Sequence, residues 1–459
     1  LTSESVADSA CYRPMAEPSD IVLIAATGAE SLTDEIGGIL GIPPAAIDAE
    51  DADGETHLRL PCNVRLRDTY VVACLGGAGV NRFFVELSLI ISGLRRASAA
   101  RITAVLPYYA YGRQARKHTS GVPISAADVA SLLEEMGVDG VLTLDLHKED
   151  IAGFFSPRCH FASASCQPAA ARYLHAQRQL RRPVVVAPHA SGVTLAKAFF
   201  DSLAELHASG DGGSRFASPR AGAAPTLAML LPHKASGSER RHLELIGEVR
   251  GQDAIIVDDI IDSGKTIARC SEALLEAGAA RVFAVATHGI FSEESLRIIA
   301  VSDVTTVVVT NSVPTNSVPR DHPVRRKLVV LSAAPVLAHQ VAKLARLPPP
   351  SLDQMAATFP MTGSFFDQRR SRHPRRSRYG EMRGDAGRCS IPAASRYGEI
   401  WGGMGRHILA LSHSRLDSRG RAVRRTHLAI SSAVPALPPS SQRRHARISP
   451  NLPISPHIS

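Results

Sequence analysis

The sequence lacks several features that would place a protein in a class at once. None of its 459 residues lies in an apolar run approaching the roughly 20 residues of a membrane-spanning helix, so we expect a soluble protein with no membrane partner. Its seven cysteines form no Cys-x-x-Cys pair, and we interpret them as scattered reduced thiols of a cytoplasmic protein. No secretory signal pattern is visible, and because the sequence begins at Leu1 rather than at a methionine, organellar targeting stays open.

Lysine is absent from the last part of the chain. Residues 351–459 contain 18 arginines and six acidic residues, so their formal charge of +12 exceeds the +9 of the whole chain and leaves −3 for the remainder. A body so close to neutrality gives no reason to expect a nucleic-acid ligand. The end of the chain is also rich in serine, proline and glycine, which predicts a disordered tail over residues 348–459. RNA or an acidic partner stays an alternative ligand for that tail alone.

Apolar strands and amphipathic helices alternate from Ile21 onwards. Helices are predicted over 84–98, 194–206 and 267–278, and Ser125 is predicted to cap a further helix that stops at Gly137. Strands are predicted over residues 69–75, 101–109, 140–147, 182–189, 226–233, 253–261, 281–289 and 305–311. The alternation favours an α/β fold built on mostly parallel sheets with helices on both faces.

The pattern runs through twice, which predicts two α/β domains of similar size. We place a frayed segment over residues 1–19, an N-terminal domain over 20–165 and a C-terminal domain over 166–347. Residues 207–225 are rich in glycine, alanine, serine and proline and are predicted to be a flexible insertion.

The stretch VDDIIDSGKT, residues 257–266, ends like an ATP-binding P-loop but lacks the first glycine of that motif. In G-x-x-x-x-G-K-[ST] the first glycine makes the tight turn around the phosphates. Asp259 occupies that position, and its carboxylate would point at the phosphates. We therefore reject the P-loop interpretation.

Two acids at the end of a buried strand, followed by a short turn, suit a phosphorylated sugar. Asp258 and Asp259 would be costly to bury unless they bound cations or hydroxyls. The turn after them offers backbone N–H groups and hydroxyls as a phosphate nest at a helix N-terminus. It consists of Asp262, Ser263, Gly264, Lys265 and Thr266. Ligands of open α/β sheets bind at such strand ends, so this stretch predicts a ribose phosphate site, and an ordinary capped turn is the alternative.

DDIIDSGKT resembles the phosphoribosyl-binding loop of the phosphoribosyltransferase-like fold. Other stretches, in the right order over about residues 20–347, resemble ribose-phosphate pyrophosphokinases, also called phosphoribosyl pyrophosphate synthetases. They are RASAARITAVLPYYAYGRQARK (96–117), PISAADVA (123–130), LDLHKEDIAGFF (144–155), IGEVRGQDAIIVDDIIDSGKT (246–266) and VATHGIFS (285–292). The resemblance implies two tandem phosphoribosyltransferase-like domains, each a mostly parallel sheet flanked by helices.

That resemblance also implies a reaction and its components. ATP and ribose 5-phosphate would give phosphoribosyl pyrophosphate and AMP in a Mg²⁺-dependent diphosphoryl transfer for nucleotide biosynthesis. Positioning and neutralisation of phosphate charge would supply most of the rate. The family also implies a homo-oligomer, a hexamer built from dimers, with active sites shared between subunits.

Site residues are carried over from the family motif by motif. Arg113 and Gln114 match the ATP-contacting pair, and Asp53, Gly54 and Glu55 match a motif that contacts the nucleotide from a neighbouring subunit. His147 matches a metal-contacting histidine, and Lys234 matches the catalytic lysine. The set assigned to ribose 5-phosphate is Asp258, Asp259 and residues 262–266.

Several positions depart from the family pattern. His189 and Ser191 stand where the family has aspartate and glycine, so His189 becomes the predicted metal ligand there. An arginine that should follow Lys234 is missing, although Arg240 or Arg241 could replace it. Ala115 replaces an aspartate, and Asp51 replaces an aromatic residue that would stack on adenine.

These departures keep other functions open. The first alternative is a catalytically weak paralogue that binds and regulates active synthetase subunits. A phosphoribosyltransferase that consumes the product would explain the DDIIDSGKT loop but not the RQARK and DLH stretches. A basic nucleic-acid-binding protein is supported by the tail alone.

Overall fold

The computed structural model describes residues 20–351, apart from 78, 118, 178–179, 209–223, 235–240 and 316–317. At 233–234 and 241–242 it describes the main chain only. The predicted N-terminal segment 1–19, most of the insertion 207–225 and the tail from 352 onwards lie outside the described residues.

The first half is a parallel sheet covered by helices. In chain order its elements are β1 (Ile21–Ala25), α1 (Glu30–Leu40), β2 (Ala45–Ala46), β3 (Asp48–Ala52), β4 (Glu55–Arg59), β5 (Asp68–Val72), α2 (Val80–Arg96), β6 (Arg101–Leu106), α3 (Ser125–Met136), β7 (Gly140–Leu144) and β8 (His160–Ala164). The sheet order is β2-β1-β5-β6-β7-β8, with every pairing parallel. β3 and β4 form a separate antiparallel hairpin.

The second half repeats the plan. Its elements are α4 (Gln167–Ala176), β9 (Pro183–Ala187), α5 (Val193–Ala208), β10 (Thr226–Lys234), β11 (Arg241–Ile246), β12 (Asp253–Ile261), α6 (Lys265–Glu276), β13 (Arg281–Gly289), α7 (Glu293–Val301), β14 (Thr306–Thr310), β15 (Leu328–Leu331) and α8 (Ala334–Ala345). The order is β11-β10-β9-β12-β13-β14-β15, and within it only the β10–β11 pairing is antiparallel. The predicted fold class is confirmed.

The last helix packs against the first half. Leu337 and Val341 of α8 share a buried cluster with Leu23 of β1 and Ile36 of α1. The division of the chain at residues 165 and 347 stays a prediction, and α8 adds its apolar face to the core of the N-terminal sheet. The chain therefore crosses between the halves twice, once before α4 and once before α8.

Most predicted elements are found within a few residues of their expected limits. Strands 253–261 and 281–289 are found at the predicted bounds because each contains a buried apolar run and is flanked by turn residues. The prediction for Ser125 is wrong in detail. Ile124 occupies the N-cap position of α3 without a side-chain cap, and the Ser125 hydroxyl, inside the first turn, donates to Gln114 Oε1 at 2.9 Å.

No helix in the described part of the chain is long and apolar enough to cross a membrane.

Candidate active site

Two aspartate–histidine pairs join the carboxyl ends of three strands. Asp258 and Asp259 lie near the carboxyl end of strand β12, and Asp258 is only 6% exposed. His147, which follows β7, places Nδ1 2.7 Å from Asp259 Oδ2. His189, which follows β9, places Nε2 3.4 Å from Asp258 Oδ1. The strand ends of both halves thus meet at adjacent carboxylates.

Burial and neighbouring groups shift the pKa values of Asp258, Asp259 and His189. Burial raises the pKa of Asp258, although His189 opposes the shift. Burial would also raise the pKa of Asp259, but the hydrogen bond and charge of His147 outweigh it, so that pKa lies below its ordinary value. The hydrogen bond to Asp258 raises the pKa of His189. Two neighbouring carboxylates are therefore pushed in opposite directions, which is typical of functional sites.

His147 and His189 differ in how their ring nitrogens are used. Nδ1 of His147 bonds Asp259, an arrangement that orients the ring, so Nε2 is the nitrogen that remains for the predicted metal contact. His189 contacts Asp258 through Nε2 and the Ser191 hydroxyl through Nδ1 at 3.0 Å, so both of its nitrogens have partners. A metal at His189 would have to displace one of them.

The turn after β12 leads into the N-terminus of α6, at the same end of the strand as Asp258 and Asp259. Gly264 precedes the first residue of α6, Lys265, with φ of +70°, a left-handed conformation that glycine adopts without strain. A Cβ at Gly264 would lie 3.1 Å from Ile299 Cγ1 and 3.2 Å from the Ser295 carbonyl oxygen. Both the turn and its packing on α7 thus require glycine, and the first N–H groups of α6 are oriented for an anion.

Arg113 reaches this turn from the other half. Its Nη1 lies 2.6 Å from Asp262 Oδ2, and the side chain of Arg113 is half exposed. Gln114 is held beside it by the hydroxyl of Ser125. Arg113 of the predicted ATP-contacting pair is therefore in direct contact with the predicted sugar phosphate turn.

A cavity of about 600 Å³ lies beside the two aspartate–histidine pairs. Its lining comes from both halves and includes Lys148, Ser163 and Thr194 as well as the two aspartates of β12. That volume is in the range of small-ligand sites.

Other predicted residues are not brought into this cluster. Asp53 and Gly54, both with positive φ, make the exposed turn of the β3–β4 hairpin, and Glu55 follows them. In the described part of the chain no hydrogen bond or ion pair links these three residues to Arg113 or to the aspartates of β12. Lys234 ends β10, and its side chain lies outside the described atoms. Lys265 of the turn pairs with the exposed Glu294 at 2.9 Å.

The structure adds buried polar residues that the sequence reasoning did not single out. Asp145 follows β7 and accepts hydrogen bonds from the Cys166 N–H at 2.8 Å and from the Thr287 hydroxyl at 2.5 Å. His288 is fully buried next to them. Both Thr287 and His288 lie in the quoted VATHGIFS stretch, where two polar residues interrupt an apolar strand; that interruption was the available signal.

Tandem parallel sheets with an acidic strand end and a glycine turn at a helix N-terminus define a protein of the phosphoribosyltransferase-like fold. Residues 21–137 match a family model described as the N-terminal domain of ribose phosphate pyrophosphokinase. Residues 190–342 match one described as a phosphoribosyl synthetase-associated domain.

Relatives and a solved structure agree with these matches. A ribose-phosphate pyrophosphokinase of Aquifex aeolicus is 32% identical over 325 residues, which cover 71% of this chain and 96% of that protein. One of Vibrio vulnificus is 38% identical over 262 residues, 57% of this chain and 76% of the relative. The crystal structure of phosphoribosylpyrophosphate synthetase from Mycobacterium smegmatis superposes with a TM-score of 0.60 at 32% identity, covering 71% of this chain and 98% of that one. The chain belongs to the ribose-phosphate pyrophosphokinase family.

Proposed function

We propose that the chain transfers the β,γ-diphosphoryl group of ATP to the 1-hydroxyl of ribose 5-phosphate, giving phosphoribosyl pyrophosphate and AMP. One observation carries the proposal within the family: the sugar phosphate turn of one half is in contact with Arg113 of the other at 2.6 Å. An acceptor held by the turn and a donor held by the arginine would thus be neighbours.

The acceptor sugar would bind at the end of β12. Its 5-phosphate would accept hydrogen bonds from the N–H groups and hydroxyls of residues 262–266, at the positive end of α6. The ring hydroxyls would bind the carboxylates of Asp258 and Asp259, which explains why two acids occupy a buried strand end.

The nucleotide would bind on the side of the N-terminal half. The planar guanidinium of Arg113 suits a bidentate contact with phosphate, and Gln114 can bond the nucleotide beside it. Asp53, Gly54 and Glu55 lie at an exposed hairpin turn, and in the described part of the chain no hydrogen bond or ion pair links them to Arg113 or to the aspartates of β12. This position supports a homo-oligomer in which the hairpin serves the site of another copy.

The transfer makes one bond and breaks one. The sugar O1 attacks Pβ of ATP, the bond from Pβ to the oxygen bridging the α-phosphorus breaks, and AMP leaves with that oxygen. The proton of the 1-hydroxyl must depart, and Asp258, whose pKa is raised by burial, would accept it. By family resemblance, the Lys234 ammonium would stabilise charge on the transferred group.

The donor set fits Mg²⁺, since that ion is usually held by one or two carboxylates, with waters and substrate phosphates completing its shell. Asp258 and Asp259 supply the carboxylates, and Nε2 of His147 is available beside them. Among the described residues, no three histidine, cysteine, aspartate or glutamate side chains are arranged to hold a metal ion by themselves. When bound, Mg²⁺ would neutralise phosphate charge and orient the triphosphate.

Release of AMP from Mg-ATP by the purified full chain, with and without ribose 5-phosphate, tests the proposal. We expect AMP only when the sugar phosphate is present, and Lys234→Ala serves as the inactive control. AMP formed equally without sugar would mean hydrolysis of ATP and would refute the transfer.

A second candidate function is a weakly active subunit that regulates active synthetases. It is supported by His189, which stands at an aspartate position of the family and uses both ring nitrogens within the protein. A folded chain that binds ribose 5-phosphate, forms no AMP and changes the rate of an active synthetase on mixing would favour this function. The predicted cytoplasmic location stays a prediction under either function.

A further inference from the structure

A buried set of hydrogen bonds joins the two halves beneath the aspartate–histidine pairs. The Thr287 hydroxyl donates to Asp145 Oδ2 at 2.5 Å and accepts from Gln167 Nε2 at 3.0 Å. The exposed fractions of Asp145, Gln167 and Thr287 are 7%, 1% and 1%. The Thr287 hydroxyl therefore both donates and accepts a hydrogen bond. Because the site is buried, water has little access to replace either partner.

His288 reinforces the same junction. Its Nε2 lies 3.2 Å from the carbonyl oxygens of both Leu144 and Asp145. Because carbonyl oxygens only accept, Nε2 must carry the proton. Burial lowers the pKa of this histidine, which favours the neutral ring. The end of β7 is thus held to β13 through both its main chain and a side chain.

This junction lies next to the groups that meet in the cleft. Asp145 is two residues before His147, and it has a φ of +29°, a conformation that few non-glycine residues adopt. Thr287 lies on β13, whose residues 286 and 288 pair with residues 258 and 260 of β12. A shift between Asp145 and Thr287 would consequently move His147 relative to Asp259.

Two other contacts between the halves at this edge are less suited to keeping His147 beside Asp259. The Arg113–Asp262 pair is half exposed on the arginine side, and an exposed ion pair holds a geometry weakly. His147 and Asp259 are themselves part of the proposed substrate and metal site, so ligands would compete for them. The Asp145–Thr287 contact is buried and independent of ligand.

We propose that Thr287 is a positioning residue, whose hydroxyl fixes Asp145 so that His147 stays in hydrogen-bonding distance of Asp259. The kinetic part of this proposal rests on the diphosphoryl transfer proposed above. Thr287 itself is buried and touches no substrate; its effect runs through His147.

Thr287→Val tests the proposal because it removes the hydroxyl at nearly constant shape. Thr143→Val is the matched control. Thr143 is fully buried on β7, close in sequence to Asp145, and its hydroxyl has no hydrogen-bond partner in the described part of the chain. Thr287→Ser keeps the hydroxyl and should behave like the unmodified chain.

Crystal structures of the three variants give a readout that needs no activity. In Thr287→Val we expect the distance from His147 Nδ1 to Asp259 Oδ2 to exceed about 3.5 Å, the limit of a hydrogen bond. In Thr143→Val and Thr287→Ser it should stay near the 2.7 Å of the unmodified chain. An unchanged distance in Thr287→Val overturns the proposal. Should that variant not fold, Gln167→Met, which deprives the Thr287 hydroxyl of its second partner, is judged by the same distance.

Steady-state kinetics separate positioning from binding. We expect kcat of Thr287→Val to fall by about 10- to 100-fold, as for a displaced catalytic geometry, with little change in KM for ribose 5-phosphate. Equal losses in Thr287→Val and Thr143→Val would show a packing effect and would also overturn the proposal. Absence of AMP from the unmodified chain would instead refute the diphosphoryl transfer, and the crystallographic distances would still decide the role of Thr287.

Discussion

Gly264→Ala should destabilise the protein and weaken its sugar phosphate site together. Gly264 precedes α6 with φ of +70°, and its missing side chain leaves room for α7. An alanine there meets two separate costs, one from its own backbone and one from its neighbours.

The two costs can be estimated from the geometry. A left-handed conformation costs an L-residue roughly 1–2 kcal/mol, of which about 0.4–1 kcal/mol is recovered because alanine restricts the unfolded chain. The new Cβ would lie 3.1 Å from Ile299 Cγ1 and 3.2 Å from the Ser295 carbonyl oxygen, so α7 must shift. Overpacking of this kind costs about 1–3 kcal/mol. We therefore expect a loss of about 2–4 kcal/mol in the free energy of unfolding.

Gly251→Ala provides the control for the backbone cost alone. Gly251 has φ of +67°, and nothing lies within 4 Å of a Cβ built there. Urea denaturation of both variants should show a loss of about 1 kcal/mol or less for Gly251→Ala. Titration calorimetry with ribose 5-phosphate should show weaker binding only for Gly264→Ala. Equal stability losses in the two variants would refute the packing argument.

Four further predictions concern the charged groups. Asp258→Ala should weaken binding of ribose 5-phosphate in calorimetry, because it removes a buried acceptor for sugar hydroxyls. His189→Asp should raise the rate of AMP formation by restoring a carboxylate, and an unchanged or lower rate would mean that the site has adapted to histidine. The pKa of His189 is raised by Asp258, so the stabilisation from this pair is present below about pH 6.5 and lost as pH rises through the folded pKa; His189→Asn should flatten that dependence in urea denaturation. Arg281→Met should cost about 2–3 kcal/mol, because Asp253, fully buried, would lose its contacts at 2.6 and 2.9 Å while keeping one from a backbone N–H.

Local patterns predicted most of the sheet architecture. The apolar runs of β12 and β13 are long enough and buried enough that strand bounds follow from composition. The P-loop interpretation was rejected because Asp259 stands at the position of the first glycine. The structure agrees, since Asp259 lies within β12 and the turn before α6 is too short for a P-loop. These features depend on residues close together in sequence.

Features that depend on distant residues could not be predicted in this way. The apolar stripe of α8 predicts a buried helix, but it does not predict that α8 packs on α1, some 300 residues earlier in the chain. The hairpin β3–β4 was missed because its strands are polar and mostly exposed, although Asp53-Gly54 is a typical hairpin turn. The contact between Asp145 and Thr287 spans 142 residues, and neither residue carries a signal of its partner.

Two of the contacts between distant residues join a basic side chain of the first half to an aspartate of the second half. Arg113 is paired with Asp262, and Nδ1 of His147 lies within hydrogen-bonding distance of Asp259, so each contact bridges the two halves. The phosphates of ATP carry the same sign as these aspartates. In the proposed site ATP would therefore take Arg113 from Asp262, and the freed carboxylate would lie in the turn proposed to bind the sugar phosphate. If both substrates bind as proposed, both act on one ion pair, and each would alter the electrostatic environment of the other. The buried contacts of Thr287 with Asp145 and Gln167 use no group of the proposed site, so we expect them to keep the two halves in register while those pairs exchange partners.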